Sequence, residues 1–136
     1  MRGLCALVVV VSATVPVLAH HGNASFDTSK EVTLKGTVTE YIWANPHCFL
    51  KFDAQDDTGK LRNWAVEVSN PTDMAKRGWS RSSFKIGDQV TVALQAVKTG
   101  APVGRLVRVT LPDGTKLPGG AELGGAELGE PPGANP

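Results

Sequence analysis

Three histidines are the residues best suited to binding a metal ion, and they fall in two places. His20 and His21 are adjacent near the start of the chain, and His47 ends the run Trp43-Ala44-Asn45-Pro46-His47. If the chain is cleaved after Ala19, His20 can chelate an ion with its α-amine and its ring nitrogen. An α-amine has a reference pKa of about 8, so it gives up its proton readily to a metal. His47 then completes a set of three nitrogens.

Copper(II) is the ion that such a set favours, because imidazole ligands suit it and it tops the affinity order of divalent first-row metals. Two sets fit the sequence: His20 with His47, or the ring and backbone amide of His21 with the α-amine, which leaves His47 uninvolved. Zinc is less suited, since a structural zinc site needs four closed ligands and the mature chain has one thiol, Cys48. We expect Cys48 to be buried as a small apolar residue.

The start of the chain predicts a cleaved signal peptide over residues 1–19. Arg2 precedes an apolar run, residues 3–11, and the small residue Ala19 suits a cleavage site. A membrane anchor needs about 20 predominantly apolar residues, and Pro16 interrupts this run. We therefore expect an exported protein with no stable membrane anchor.

The mature chain is balanced in charge. The sequence contains 14 Lys+Arg and 13 Asp+Glu, and Arg2 is the one charged residue of the predicted signal peptide, so 13 of each sign remain. A zero net charge argues against nucleic acid as a partner. No Ser-His-Asp set, glycine-rich phosphate loop or pair of carboxylates stands out, so hydrolase chemistry is poorly supported. A copper oxidase or oxygenase is the weakest alternative, and the sequence does not establish an enzyme.

The segments that must position these residues alternate apolar and polar side chains, which is typical of strands. The predicted strands cover residues 31–43, 48–54, 60–68, 90–94 and 106–111. A short helix is expected between the third and fourth strands, because Asn70 can cap it and Pro71 suits its first position. The order β-β-β-α-β-β predicts an all-β fold, a five-stranded, partly open OB-like barrel. A sandwich or an open meander leaves nearly the same pattern.

Three regions follow from this pattern. Residues 1–19 form the signal peptide, residues 20–117 a single β-barrel domain, and residues 118–136 a tail rich in Gly, Pro and Glu. The tail repeats Gly-Gly-Ala-Glu-Leu and has too few apolar residues to offset the entropy lost on ordering. We therefore predict that it is disordered.

Two further residues are expected to support a metal site. Pro46 fixes its own φ angle and favours an extended Asn45, so we expect His47 to be held in a defined place. Alternatively, the segment is simply a hairpin corner. Glu67 lies within a predicted strand, where a buried charge needs a partner. It can accept a hydrogen bond from a metal-bound imidazole, pair with Arg62, or face solvent.

Three aromatic residues leave a second function open. Trp43, Phe49 and Trp64 are expected in the core, but together they can also form an exposed face of the barrel. Barrels of the OB type bind through such a face. The alternative function is therefore a binding module without metal, for a small ligand or a periplasmic protein partner.

Several short motifs together resemble a family of small exported bacterial proteins, a domain of unknown function. They are His20-His21, Phe26-Asp27, Gly36-Thr37-Val38, Trp43-Ala44-Asn45-Pro46-His47, Trp64-Ala65-Val66-Glu67, Gly78-Trp79 and Gly87-Asp88. The resemblance covers nearly all of residues 20–117, and Cys48 and the tail are not part of it. It implies a bacterial periplasmic location and brings no established activity.

Overall fold

Strands make up most of the chain between Val32 and Pro118 in the computed structural model, which describes residues 23–121. The strands are β1 (Val32–Ile42), β2 (Phe49–Gln55), β3 (Leu61–Glu67), β4 (Gln89–Ala96), β5 (Val103–Thr110) and β6 (Lys116–Pro118). One helix, α1 (Pro71–Lys76), lies between β3 and β4, and a 3-10 helix covers Asn23–Ser25. The predicted order β-β-β-α-β-β is confirmed as far as β5, and β6 is a strand that the sequence did not predict.

The strands form a closed, five-stranded mixed barrel with β6 added. Neighbours follow the order β3-β2-β1-β4-β5-β6, and β3 also pairs with β5 in parallel. In that pair Ala65 is opposite Val103 and Glu67 is opposite Arg105. The predicted five-stranded barrel is confirmed. It is closed rather than partly open because the β3–β5 pair joins the two ends of the sheet.

The long strand β1 pairs with two neighbouring strands, and Gly36 takes part in both pairings. Residues 32–37 pair with β4 and residues 36–42 with β2. A Cβ at Gly36 would come within 2.7 Å of the Phe52 ring and would also overlap the Asp53 carbonyl. Only glycine therefore lets β2 approach β1 closely at this point.

Alternating side chains of β2 and β3 build the core. Leu50, Phe52 and Val66 are fully buried, and Trp64 and Val68 are nearly so. Because successive side chains of a strand face opposite sides, these residues all point into the barrel, as their spacing predicts. Full burial of one such side chain contributes about 1.5–3 kcal/mol.

Helix α1 begins as its sequence predicts. The Asn70 side chain accepts a hydrogen bond from the Asp73 N–H at 3.0 Å, and Pro71 occupies the first turn. Met74 is buried in the core. Gly78 follows the helix with a φ of 87°, a conformation that glycine adopts without strain. The helix therefore packs on one side of the core through a single apolar side chain.

An aromatic cluster, formed by Tyr41, Trp79 and Phe84, lies after α1. The ring centroid of Phe84 is 5.0 Å from that of Tyr41 and 5.1 Å from that of Trp79. The Tyr41 hydroxyl donates to the Ser80 carbonyl at 2.9 Å, and the Trp79 ring N–H donates to the Pro118 carbonyl at 2.9 Å. Burial raises the pKa of Tyr41. The cluster is apolar, with the polar tips of Tyr41 and Trp79 bonded to backbone.

The chain stays attached to β5 beyond the predicted domain boundary at Leu117. The Gly119 N–H donates to the Val107 carbonyl at 2.7 Å, and the Ala121 N–H donates to the Leu106 carbonyl at 3.2 Å. The predicted signal peptide and residues 122–136 of the predicted tail lie outside the described residues. Between residues 23 and 121, no helix is long and apolar enough to span a membrane.

Candidate functional site

Strand β5 changes partner halfway along one of its edges, and a pocket lies at that point. One edge pairs with β4. On the other edge, residues 103–105 pair with β3 and residues 108–110 pair with β6. The end of β3 and the C-terminal segment, residues 116–121, therefore pair with different parts of this edge. A gap remains between them beside Leu106.

We call this gap the arginine pocket. Its volume is about 310 Å³, at the lower end of the range for small-ligand sites, which is about 300–1,000 Å³. It is lined by four charged or titratable side chains, one serine and a mostly small or apolar remainder: His47, Glu67, Val68, Ser69, Arg77, Arg105, Leu106, Gly119, Gly120 and Ala121.

His47 enters this pocket from the segment just before β2. The neighbouring Cys48 extends the β2–β3 ladder, since its N–H donates to the Ser69 carbonyl and its carbonyl accepts from the Val68 N–H, both at 3.0 Å. Nδ1 of His47 lies 3.2 Å from the Val68 carbonyl oxygen. A carbonyl can only accept, so in this hydrogen bond Nδ1 carries the proton, and a neutral ring then has its basic lone pair on Nε2.

Glu67 and Arg105 come from the pair of strands that closes the barrel. They are opposite each other in the β3–β5 register, so both side chains lie on the same face. The Arg105 guanidinium also lies over the Phe26 ring, 5.4 Å from its centroid, a cation–π contact. Arg62, considered as a partner for Glu67, instead donates to the Gly100 carbonyl at 3.0 Å.

Arg77 reaches the pocket from the C-terminal end of α1 and lies against Gly120. A Cβ at Gly120 would be 3.4–3.6 Å from the guanidinium atoms of Arg77, and Gly120 has a φ of 102°. At the other end of the helix, the Ser69 hydroxyl donates to Asp73 at 2.8 Å, and this bond lowers the pKa of the Asp73 carboxyl. Both ends of this short helix therefore contribute to the pocket.

The positively charged groups of the pocket outnumber the negatively charged ones. Two guanidinium groups, on Arg77 and Arg105, face one carboxylate, on Glu67. With a neutral His47 the lining carries an excess of positive charge. A concave surface concentrates such a field, so the pocket attracts anions.

The sequence-predicted site residues are only partly brought together. His47 and Glu67 line the same pocket, whereas Trp43, Asn45 and Trp64 are not among its lining residues. Trp64 is in the core, where its ring N–H has no hydrogen-bond partner among the described residues. Trp43 is half-buried and packs on Tyr41, with ring centroids 6.0 Å apart, and Asn45, joined to Pro46 by a cis peptide bond, is exposed.

Two of the three predicted copper ligands, His20 and His21, lie outside the described residues. Within residues 23–121, no group of three or more His, Cys, Asp or Glu side chains is arranged to hold a metal ion. Cys48 is a free, buried cysteine, as expected for a small apolar residue, and burial raises the pKa of its thiol. Of the three predicted ligands, the described residues therefore contain His47 alone.

Sequence reasoning missed the two arginines. It did not single out Arg77, and it began the fifth strand at residue 106, so Arg105 fell in a loop. The available signal was that Val103, Arg105 and Val107 alternate with Gly104 and Leu106, which extends β5 backward and places Arg105 on the outer face of the barrel. Nothing comparable marked the glycines of the C-terminal segment, whose role depends on what they pack against.

The chain belongs to a family described as Family of unknown function (DUF6152), whose model matches residues 7–106. This confirms the resemblance to an uncharacterised domain. The matched range includes the three histidines and both arginines of the pocket and ends before Gly119. The chain matches no curated protein and no solved structure.

Proposed function

We propose that this protein is a periplasmic copper-binding protein, in which the mature N-terminus and His47 hold Cu(II). The observation that supports this most is the hydrogen bond between Nδ1 of His47 and the Val68 carbonyl. Metal-bound histidines commonly use one ring nitrogen in this way, which orients the ring and makes the other nitrogen the ligand. The His47 ring is thus held with Nε2 as its basic atom.

The attachment of the N-terminal segment also supports the proposal. Phe26 forms a β-bridge with Val97, and the Lys98 N–H donates to the Ser25 carbonyl at 3.0 Å. The Phe26 ring contacts Arg105, which lines the same pocket as His47. His20 lies six positions before Phe26, and a fully extended chain of that length spans about 20 Å at most. The N-terminal segment is therefore attached to the barrel beside a residue that lines the pocket.

Glu67 fits a supporting role in this site. Its carboxylate lines the same pocket as His47 and is the one negative side chain of that lining. A carboxylate near a bound ion offsets part of the ion's charge and can accept a hydrogen bond from an imidazole ligand. This is the role that the sequence suggested for Glu67, and it leaves the metal ligands as nitrogens.

The decisive experiment compares two N-termini. Cu(II) is titrated into mature protein beginning at His20 and into the same protein with Ala19 retained, each monitored by calorimetry. Losing a group that merely supports a ligand costs about 10–100-fold in metal affinity, so blocking a ligand should cost about 100-fold or more. Equal affinities for the two proteins would rule out the α-amine as a ligand and overturn the proposal.

Two histidine variants then separate the two possible nitrogen sets. His47→Gln should weaken Cu(II) binding about as much as retention of Ala19 does if His47 completes the set. His21→Gln should do so instead if the ring and amide of His21 bind the ion. Circular dichroism of each variant serves as the control for folding, and full affinity in both variants would contradict both sets.

The mass of the exported protein tests the location and the processing together. Cleavage after Ala19 is expected, so the protein recovered from the periplasm should have the mass of residues 20–136. Metal analysis of the same sample should find copper. A mature chain that begins at any other residue removes the proposed chelate.

A further inference from the structure

We infer that the arginine pocket is a binding site for a small oxyanion, a carboxylate or a phosphate group, held between the guanidinium groups of Arg77 and Arg105. The two arginines are not copper ligands in the proposed function, although the pocket that they line also contains His47 and Glu67. Guanidinium groups match the geometry of both anions, because each can donate two parallel hydrogen bonds to a pair of oxygens.

Both guanidinium groups are positioned by contacts outside the ligand space. The Arg77 guanidinium lies beside Gly120, where a Cβ would stand 3.4–3.6 Å from it, at van der Waals distance. Arg105 is held over the Phe26 ring. A side chain that is already placed loses less conformational entropy when it binds, so more of the interaction energy appears as affinity.

The two arginines come from elements that the fold brings together. Arg77 follows α1 and Arg105 lies in β5, at the point where this strand changes partner from β3 to the C-terminal segment. The resulting gap is open enough for a ligand, and its volume of about 310 Å³ restricts that ligand to a small molecule. A convergence of two cations on one cavity is what recognition of an anion requires.

Glu67 further restricts which chemical groups the ligand can carry. Its carboxylate lines the same pocket, so it repels additional negative charge on its side and accepts hydrogen bonds from a hydroxyl or amine. We therefore expect a ligand with one anionic group toward the arginines and neutral or cationic polar groups toward Glu67. Polyanions and nucleic acid do not fit this arrangement.

The test is calorimetric titration of the mature protein after copper has been removed by chelation and dialysis, at constant ionic strength. One arm uses inorganic phosphate and the other uses lactate, a monocarboxylate with a hydroxyl group. Saturable binding at one site in either arm is expected, and the arm that binds identifies the anion as tetrahedral or planar. Absence of saturable binding in both arms would overturn the inference.

Charge-removing variants identify the site. Arg77→Gln and Arg105→Gln should each weaken binding at least about tenfold, because each removes charge-assisted hydrogen bonds to the anion. Arg81→Gln is the matched control, since Arg81 is exposed and does not line the pocket, and it should leave affinity unchanged. Equal losses in all three variants would show a general charge effect and would refute a specific site.

Lysine variants serve as controls for folding, and copper titrations distinguish the anion site from the proposed copper site. Arg77→Lys and Arg105→Lys keep the charge, and they should fold and still bind the anion more weakly than the unmodified protein. Arg77→Gln should bind Cu(II) normally, and retention of Ala19 should leave anion binding unchanged. Anion binding that survives in Arg77→Gln and Arg105→Gln would place the anion elsewhere, whatever the outcome for copper.

Discussion

The aromatic cluster and the arginine pocket lie on elements that are joined to each other, yet they are built in opposite ways. In the cluster, Trp79 and Phe84 are nearly buried, and the Trp79 ring N–H is bonded to backbone. In the pocket, charged side chains converge on an open volume. Burial of apolar surface stabilises a fold, whereas charges positioned around a cavity recognise a ligand. The buried rings that stabilise the fold and the charged side chains that line the pocket therefore lie in different regions of this small barrel.

Two short segments connect these regions. Helix α1 buries Met74 in the core and ends at Arg77, which lines the pocket. The C-terminal segment accepts the Trp79 ring N–H at Pro118 and contacts Arg77 at Gly120. The comparison can therefore be tested by changing the cluster, the pocket and the connecting helix one at a time.

Phe84→Ala should produce the largest effect, and it should be confined to stability. Phe84 contacts both other rings of the cluster, and its truncation leaves a cavity, so the free energy of unfolding should fall by about 3–5 kcal/mol. Chemical denaturation measures this change. Ile86→Ala is the control, since Ile86 is 79% exposed and its truncation should change stability by less than about 0.5 kcal/mol. A comparable loss in both variants would refute the assignment of stability to the cluster.

Gly120→Ala and Gly114→Ala form a matched pair that tests the pocket. Both glycines have positive φ, 102° and 86°, so alanine should cost about 1–2 kcal/mol of stability at either position. At Gly120 the new methyl group would stand at van der Waals distance from the Arg77 guanidinium, on the lining of the pocket, while nothing lies within 4 Å of it at Gly114. Titration with the oxyanion should therefore show weaker binding in Gly120→Ala alone. Equal binding by the two variants would show that Gly120 does not position Arg77.

Asn70→Ala should affect both regions slightly, because it removes the cap of the helix that connects them. Loss of such a cap typically costs about 1 kcal/mol, and fraying of α1 should also loosen Arg77. Thermal unfolding and anion titration measure the two effects. Thr72→Ala serves as the control, since Thr72 is exposed on the same helix. An unchanged melting temperature in Asn70→Ala would contradict a stabilising cap.

Ser69→Ala should give the smallest effect, and that effect should depend on pH. The Ser69 hydroxyl holds the pKa of Asp73 below its ordinary value of 3.8. A carboxyl with a lowered folded-state pKa contributes stability above its unfolded pKa and loses it as pH falls through the folded pKa. The unmodified protein should therefore be more stable than Ser69→Ala at neutral pH, and the difference should shrink below about pH 4. Denaturation at several pH values in an Asp73→Asn background should show no such trend.

The sequence predicts most of the barrel because its patterns are local. Alternation placed Trp64, Val66 and Val68 on one buried face, and Asn70 with Pro71 marked the start of α1. Closure could not be read in the same way, because the parallel β3–β5 pair joins residues far apart in sequence. Strand β6 was missed because its three residues are too few to show a period.

The candidate site was less predictable than the fold. His47 and Glu67 were identified because a histidine after a proline and a carboxylate in a strand are unusual in themselves. Arg77 resembled any cation at a helix end, and Arg105 resembled a loop residue. Their importance depends on Phe26 and Gly120, which position the guanidinium groups through contacts that no sequence period encodes.

The exchange of partners along β5 has a consequence for local opening of the protein. A ligand in the pocket touches the β3 side through Glu67 and the C-terminal side through Gly119 and Ala121, so it bridges two segments that hydrogen-bond to β5 separately. Any molecule that binds the closed arrangement more tightly than the opened one lowers the population of the opened form by mass action. A ligand bound in the pocket should therefore slow amide hydrogen exchange at Gly119 and Ala121.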